Sequence, residues 1–152
     1  MKKLIYLTKK EIIDSNKAVI DVYGGNYLPP YNLLNESALD NLVEIVEHGI
    51  LFGETMYPKL EDKAALHLFN ITENHIFSDG NKRTGLDTML IFLQLNGFEL
   101  KIPLEVINNV PELTQPADDD TILEKLVFEV AQSRRKLQDL SEWISHNMKK
   151  SE

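Results

Sequence analysis

The amino-acid sequence predicts an all-α fold of six to seven helices with one short β-hairpin flap. Three observations predict it. Apolar residues recur at helical spacing in most stretches between glycine and proline stops. Helix-capping patterns stand ahead of several of those stretches. Extended runs are confined to two short pieces, at 50–58 and 98–102.

Thr8-Lys9-Lys10-Glu11 is a capping box: the hydroxyl and the carboxylate each satisfy an amide that a helix start leaves unpaired. Ile12, Ile13, Ala18, Val19 and Val22 then follow at near-helical spacing, Gly24-Gly25 ends the helix, and Pro29-Pro30 prevents an early restart. Asn35 or Ser37 caps the next helix, whose stripe is Ala38, Leu39, Leu42, Val43, Ile45 and Val46, with Gly49 as the stop. Residues 50–58 read either as a short hairpin flap around Gly53-Glu54 or as an ordinary connector. A helix over 60–74 carries adjacent Ala64 and Ala65, which suit close approach to another helix. After a polar loop, Leu86, Met89, Leu90 and Leu93 stripe a helix that is apolar on most sides beyond its first turn and ends at Gly97, as expected of a central element. Pro103 opens a short helix to about residue 109, and residues 111–120 form a polar connection. Asp118-Asp119-Asp120 compensates a helix N-terminus ahead of a second capping box, Thr121 to Glu124, in preference to holding a metal. The last helices run near 121–132 and 136–148, with Leu137, Leu140, Trp143 and Ile144 facing inward.

A chain of 152 residues suits one domain, 1–152. With no cysteine, disulfides and thiolate chemistry are excluded. A formal net charge of −8 argues against broad binding to nucleic acid or to an anionic membrane surface, and no apolar run approaches a bilayer span. The start has basic residues but too short an apolar run for a signal peptide, so the expected compartment is the cytoplasm.

The polar loop is far too dense in chemistry for a simple connection. His75 offers a base, Asp79 a magnesium ligand, Asn81 an amide, and Lys82 and Arg83 two cations, with Gly80 as a flexible backbone point. If a helix starts near Asn81, its first amides lack partners and face positive potential, so an anion is the expected guest. Gly80 leaves room for a phosphate oxygen to approach backbone, and Lys82 and Arg83 add point and fork-shaped contacts. Magnesium commonly takes one or two protein carboxylates and fills its shell with phosphate and water, which suits Asp79. An imidazole titrates close to neutrality, which suits His75 to removing a hydroxyl proton. Phe77 is a core anchor.

The run His75-Ile76-Phe77-Ser78-Asp79-Gly80-Asn81-Lys82-Arg83 resembles the signature of the Fic/Doc superfamily, His-x-Phe-x-(Asp/Glu)-Gly-Asn-(Gly/Lys)-Arg, at every specified position. Tyr23-Gly24-Gly25, the run from Asn35 to Leu39, Tyr57-Pro58 and Leu140 to Trp143 also look like the Doc (death-on-curing) toxin branch. The resemblance implies a Fic/Doc-like bundle and an ATP- and Mg2+-dependent transferase acting on a Ser, Thr or Tyr hydroxyl of a target protein. It implies that His75, Asp79, Asn81 and Arg83 are catalytic, with Asp79 positioning the metal. Gly80, Asn81, Lys82 and Arg83 would bind the nucleotide. A flap of Phe52, Gly53, Glu54, Thr55, Met56 and Tyr57 would dock the target by strand addition. Adenylylating members typically have Gly at the position of Lys82 and Arg at that of Leu86. The Lys82/Leu86 pattern resembles the Doc branch, in which the nucleotide binds reversed and the γ-phosphoryl group goes to a translation factor. Gly80 pulls towards adenylylation, the alternative reading; an inactive Fic-fold interaction module is the third. The self-inhibitory pattern (Ser/Thr)-x-x-x-Glu-(Gly/Asn) is absent, because Phe69 stands four residues before Glu73-Asn74. The resemblance therefore implies restraint by a partner, a Phd-like antitoxin, on apolar surface near the first helix and the flap.

Overall fold

A computed structural model describes residues 3–104 and 118–152. Six helices follow in order among them: α1 (Lys9–Tyr23), α2 (Glu36–His48), α3 (Leu60–Glu73), α4 (Asn81–Leu95), α5 (Asp119–Ala131) and α6 (Leu137–Asn147). Of the helix expected over 103–109, Pro103 and Leu104 are described and not helical, while its remainder and most of the connection after it lie outside the described residues.

The local signals act largely where the sequence puts them. Glu11 accepts from the Thr8 amide at 3.0 Å and the Thr8 hydroxyl from the Glu11 amide at 3.1 Å, closing the box at the start of α1. Of the two capping candidates for α2, Asn35 acts, accepting from the Ala38 amide at 3.2 Å. The acidic triplet does serve a helix start, but α5 begins earlier than expected. Asp118 is the cap, accepting from the Thr121 amide at 2.8 Å, and Thr121 lies inside the helix. Asp118 suits the position because its ionised carboxylate reaches the N3 amide and also meets the helix dipole favourably.

Residues 50–55 form the hairpin alternative: β1 (Ile50–Leu51) pairs antiparallel with β2 (Glu54–Thr55), with Phe52 at the tip almost fully exposed. A second pairing was not expected. Beyond α6 the chain turns extended, and β4 (Met148–Lys150) pairs antiparallel with β3 (Phe98–Leu100). Met148-Lys149-Lys150 carries no strand pattern of its own; pairing with β3 supplies it.

Helices α3 and α4 pack against each other at the centre; α2, α5 and α6 contact α3, and α1 and α5 contact α4. Leu39, Leu42, Leu68, Ile71, Met89, Phe92 and Trp143 are fully buried between them. Gly85 makes the α3–α4 crossing possible. A Cβ there would lie 3.1 Å from the Leu68 side chain and 3.2 Å from its backbone. Among the described residues no helix is long and apolar enough to cross a membrane.

Candidate active site

The loop between α3 and α4 is held from three directions. From below, Phe77 and Ile76 are fully buried and anchor it in the core. From the side, residues 32–35 pair with it like a short strand: Leu34 and Asn35 donate to the Ile76 carbonyl at 2.9 and 3.0 Å, and Ser78 donates to the Asn32 carbonyl at 2.8 Å. From above, the Asn81 side chain clasps both backbone groups of Phe77, accepting from its amide at 2.9 Å and donating to its carbonyl at 2.8 Å. The Asn81 side chain therefore fixes the loop, and only its backbone amide remains to face a ligand.

Gly80 is the N-cap of α4, in the left-handed region at φ 78°, with no side chain capping the helix. Its role differs in detail from the expected one. A Cβ there would point at α1, 3.1 Å from Ile20 and 3.2 Å from the Asn16 amide, so glycine is needed for the turn and for helix packing and not for approach of a ligand. Beneath it lies a buried network that the sequence reading did not find. Asn16 donates to the Asp79 carbonyl at 2.9 Å and to the Thr84 hydroxyl at 3.1 Å, and accepts from Asn32 at 2.9 Å. Asn16 and Asn32 are fully buried, and Asn32 also accepts from the Leu28 amide at 2.8 Å. The one available signal was a polar residue on the apolar stripe of α1 formed by Ile12, Val19 and Ile20.

A cleft of 580 Å³ opens over this floor. His75, Asp79, Gly80, Asn81, Lys82 and Arg83 all line it, so every loop residue singled out for chemistry meets in one place. Val19 and Tyr23 of α1, with Gly24 just beyond it, form one wall, and Thr72, Ala131 and Gln132 the other. The second wall is fixed by Ser133, whose hydroxyl donates to the Glu73 carboxylate at 3.0 Å. The flap residues Phe52 to Tyr57 do not line this cleft.

His75 follows the end of α3, in the left-handed region at φ 46°, and its side chain is exposed. Asp79 accepts from the amides of Asn26 at 2.9 Å and Gly80 at 2.8 Å, and these two bonds hold its carboxyl below the usual carboxylate range. Arg83 lies over the Tyr23 ring, 4.7 Å from its centre, and pairs with Asp87 one turn on at 3.1 Å. Among the described residues Lys82 has no ion pair or hydrogen bond and stands exposed at the cleft. Chemically the cleft presents cations and uncapped amides to an anion, an ionised carboxylate beside them, and an imidazole at the rim.

A helical scaffold that sets such a loop at the head of its central helix defines a class, and residues 6–93 match the Fic/DOC family: the chain belongs to it. Two curated proteins are similar to it. Toxin Doc of Mycolicibacterium smegmatis (strain ATCC 700084 / mc(2)155) is 35% identical over 81 residues, which are 53% of this chain and 62% of that toxin. Protein kinase doc of Escherichia phage P1 is 30% identical over 95 residues, 62% of this chain and 71% of that protein. The chain thus spans less than two thirds of the mycobacterial relative.

Proposed function

We propose that this chain is a toxin of the Doc kind that transfers a phosphoryl group from a nucleoside triphosphate to a Ser, Thr or Tyr hydroxyl of a cytoplasmic target protein, a translation factor being the expected class. The observation that carries the reading is the uncapped start of α4, whose Lys82 and Arg83 open onto the same cleft as His75. The names of the two relatives, one a toxin and one a protein kinase, support it.

The residues present suit a magnesium-bound triphosphate. Three successive amides at the head of a fifteen-residue helix favour phosphate oxygens, and Lys82 and Arg83 match their charge. Asp79 lines the cleft with its carboxyl held below the usual range by two backbone bonds, and one carboxylate is enough protein for a magnesium ion that shares phosphate ligands. A magnesium ion held there would neutralise charge on the phosphates. His75 takes the proton of the incoming hydroxyl while that oxygen bonds to the γ-phosphorus and the bond to the departing diphosphate breaks. The Asn81 clasp and the Asn16 floor keep the amides aimed during the exchange. Strand addition to the flap would present the target's hydroxyl, and a Phd-like antitoxin would restrain the protein.

Incubation of the purified protein in lysate with ATP labelled separately at the α and γ positions tests this. Label from the γ position only, absent with His75→Ala, is the expected result. Label from the α position would replace the reading with adenylylation, and no transfer from either would leave an interaction module.

A further inference from the structure

The stretch Tyr23-Gly24-Gly25-Asn26, where α1 ends, carries no charge, yet it touches two of the charged groups that line the cleft. The first is Arg83. Its guanidinium carbon lies over the Tyr23 ring, 4.7 Å from the ring centre, and its Nε meets the Asp87 carboxylate at 3.1 Å. One face and the Nε–H are thereby occupied. The two terminal nitrogens, which bond nothing among the described residues, are left as the fork for a ligand. The second group is Asp79. Its Oδ2 accepts from the Asn26 amide at 2.9 Å and its Oδ1 from the Gly80 amide at 2.8 Å, which ties the carboxylate to the end of α1 and to the head of α4. Gly25 permits the first of these bonds. It sits at φ 132°, and a Cβ there would lie 2.8 Å from Asp79 Oδ2 and 3.0 Å from Ile20, so any other residue would push the carboxylate from its place.

From these contacts we propose that residues 23–26 are a positioning element: Tyr23, together with Asp87, presents Arg83 to the donor's phosphates, and Gly25 and Asn26 present Asp79 to their magnesium ion. The inference rests on the phosphoryl-transfer reading above and deepens it. An arginine already held by its face and its Nε loses less freedom when its fork meets phosphate than a free one does. A carboxylate fixed by outer hydrogen bonds keeps its oxygens in place for a metal, and losing such support commonly costs a metal site about ten- to a hundredfold in affinity. Because the two contacts serve different ligands, they are separable by experiment.

Titration with tripolyphosphate, with and without magnesium, reads them apart. Tyr23→Leu is expected to weaken metal-free tripolyphosphate about fivefold, the scale of one cation–π contact, and to leave the gain in affinity that magnesium brings unchanged. Tyr23→Phe, which keeps the ring, should bind as wild type does, and Tyr23→Leu should add nothing in an Arg83→Ala background. Gly25→Ala is expected to lose most of the gain from magnesium and to leave metal-free tripolyphosphate within about twofold. Should that variant not fold, two measurements decide the same point. The Asp79 carboxyl of wild type should titrate below the ordinary carboxylate range by NMR, and Asp79→Asn should speed exchange of the Asn26 amide; an ordinary titration with unchanged exchange would overturn the Asp79 half. Metal-free affinity and magnesium gain falling together in either variant would mean a general loss of shape, and neither changing would mean idle contacts. Each of those results overturns the positioning role while tripolyphosphate binding by wild type still upholds the phosphate site. Wild type that binds no tripolyphosphate, with or without magnesium, would overturn the donor reading and this inference with it.

Discussion

Replacing Asn16 with alanine tests whether the buried network, and not the loop's own sequence, holds the candidate site in shape. The side chain makes three hydrogen bonds, to the Asp79 carbonyl, the Thr84 hydroxyl and the Asn32 amide, and no part of it reaches solvent. The substitution leaves an Asn32 donor and the Thr84 hydroxyl without that partner. The Asp79 carbonyl keeps a long contact from Asn32 at 3.4 Å. Two buried groups stranded at 1–3 kcal/mol each, partly relieved by relaxation, give a loss of about 3 kcal/mol. Urea unfolding of wild type and Asn16→Ala measures it, and amide exchange at residues 76–84 should accelerate more than exchange in the middle of α3. Asn16→Asp should be at least as harmful, since it sets a carboxylate against the Asp79 carbonyl. A loss below about 1 kcal/mol with unchanged exchange would show that the pairing with residues 32–35 and the Asn81 clasp suffice, and the reasoning would be wrong.

Two further expectations concern the central helix pair. Gly85→Ala places a methyl group 3.2 Å from the Leu68 backbone, which cannot turn aside as a side chain can, so α3 and α4 must separate at a cost of about 1–3 kcal/mol; a thermal melt of the variant within a degree of wild type would contradict this. His67 is buried and stacked on Phe92 with ring centres 5.1 Å apart, and burial pushes its pKa down from 6.5 to about 4. The unfolded chain binds a proton between those values and the folded chain does not. The contribution of the neutral ring is therefore whole above pH 6.5 and is lost as pH falls towards 4, by about 3 kcal/mol in all. His67→Leu should flatten that part of the urea-stability profile between pH 7 and pH 4.5, and an unaltered profile would count against it.

Sequence made most of the helices legible because their signals are local. The Thr8–Glu11 box, the Asn35 cap and the glycine stops are read within four residues of where they act, and the site loop was visible because its chemistry is packed into nine consecutive positions. What stayed hidden joins residues far apart in the chain. Asn16 looked like an interruption of an apolar stripe, and only the fold brings it beneath Asp79 and Thr84. The β3–β4 pairing joins the extended piece at 98–100 to Met148–Lys150, which has no strand pattern alone. The stacking of Arg83 on Tyr23 and the bond from the Asn26 amide to Asp79 depend on how α1 sits against α4. The Asn81 side chain drew notice as a polar member of the loop, but its clasp on Phe77 could not be seen before the turn at Gly80 was known. The place of Gly80's absent side chain, against α1, needed the same knowledge.

In the proposed reaction the start of α4 holds the donor's phosphates while His75 acts on the acceptor, so that binding and transfer are separable functions of neighbouring groups. Measuring both on one preparation of His75→Ala tests it most directly. Magnesium–ATP affinity within about twofold of wild type, with transfer to protein lost, is the expected result. Transfer that persists in this variant, or ATP binding that disappears with the ring, would contradict it.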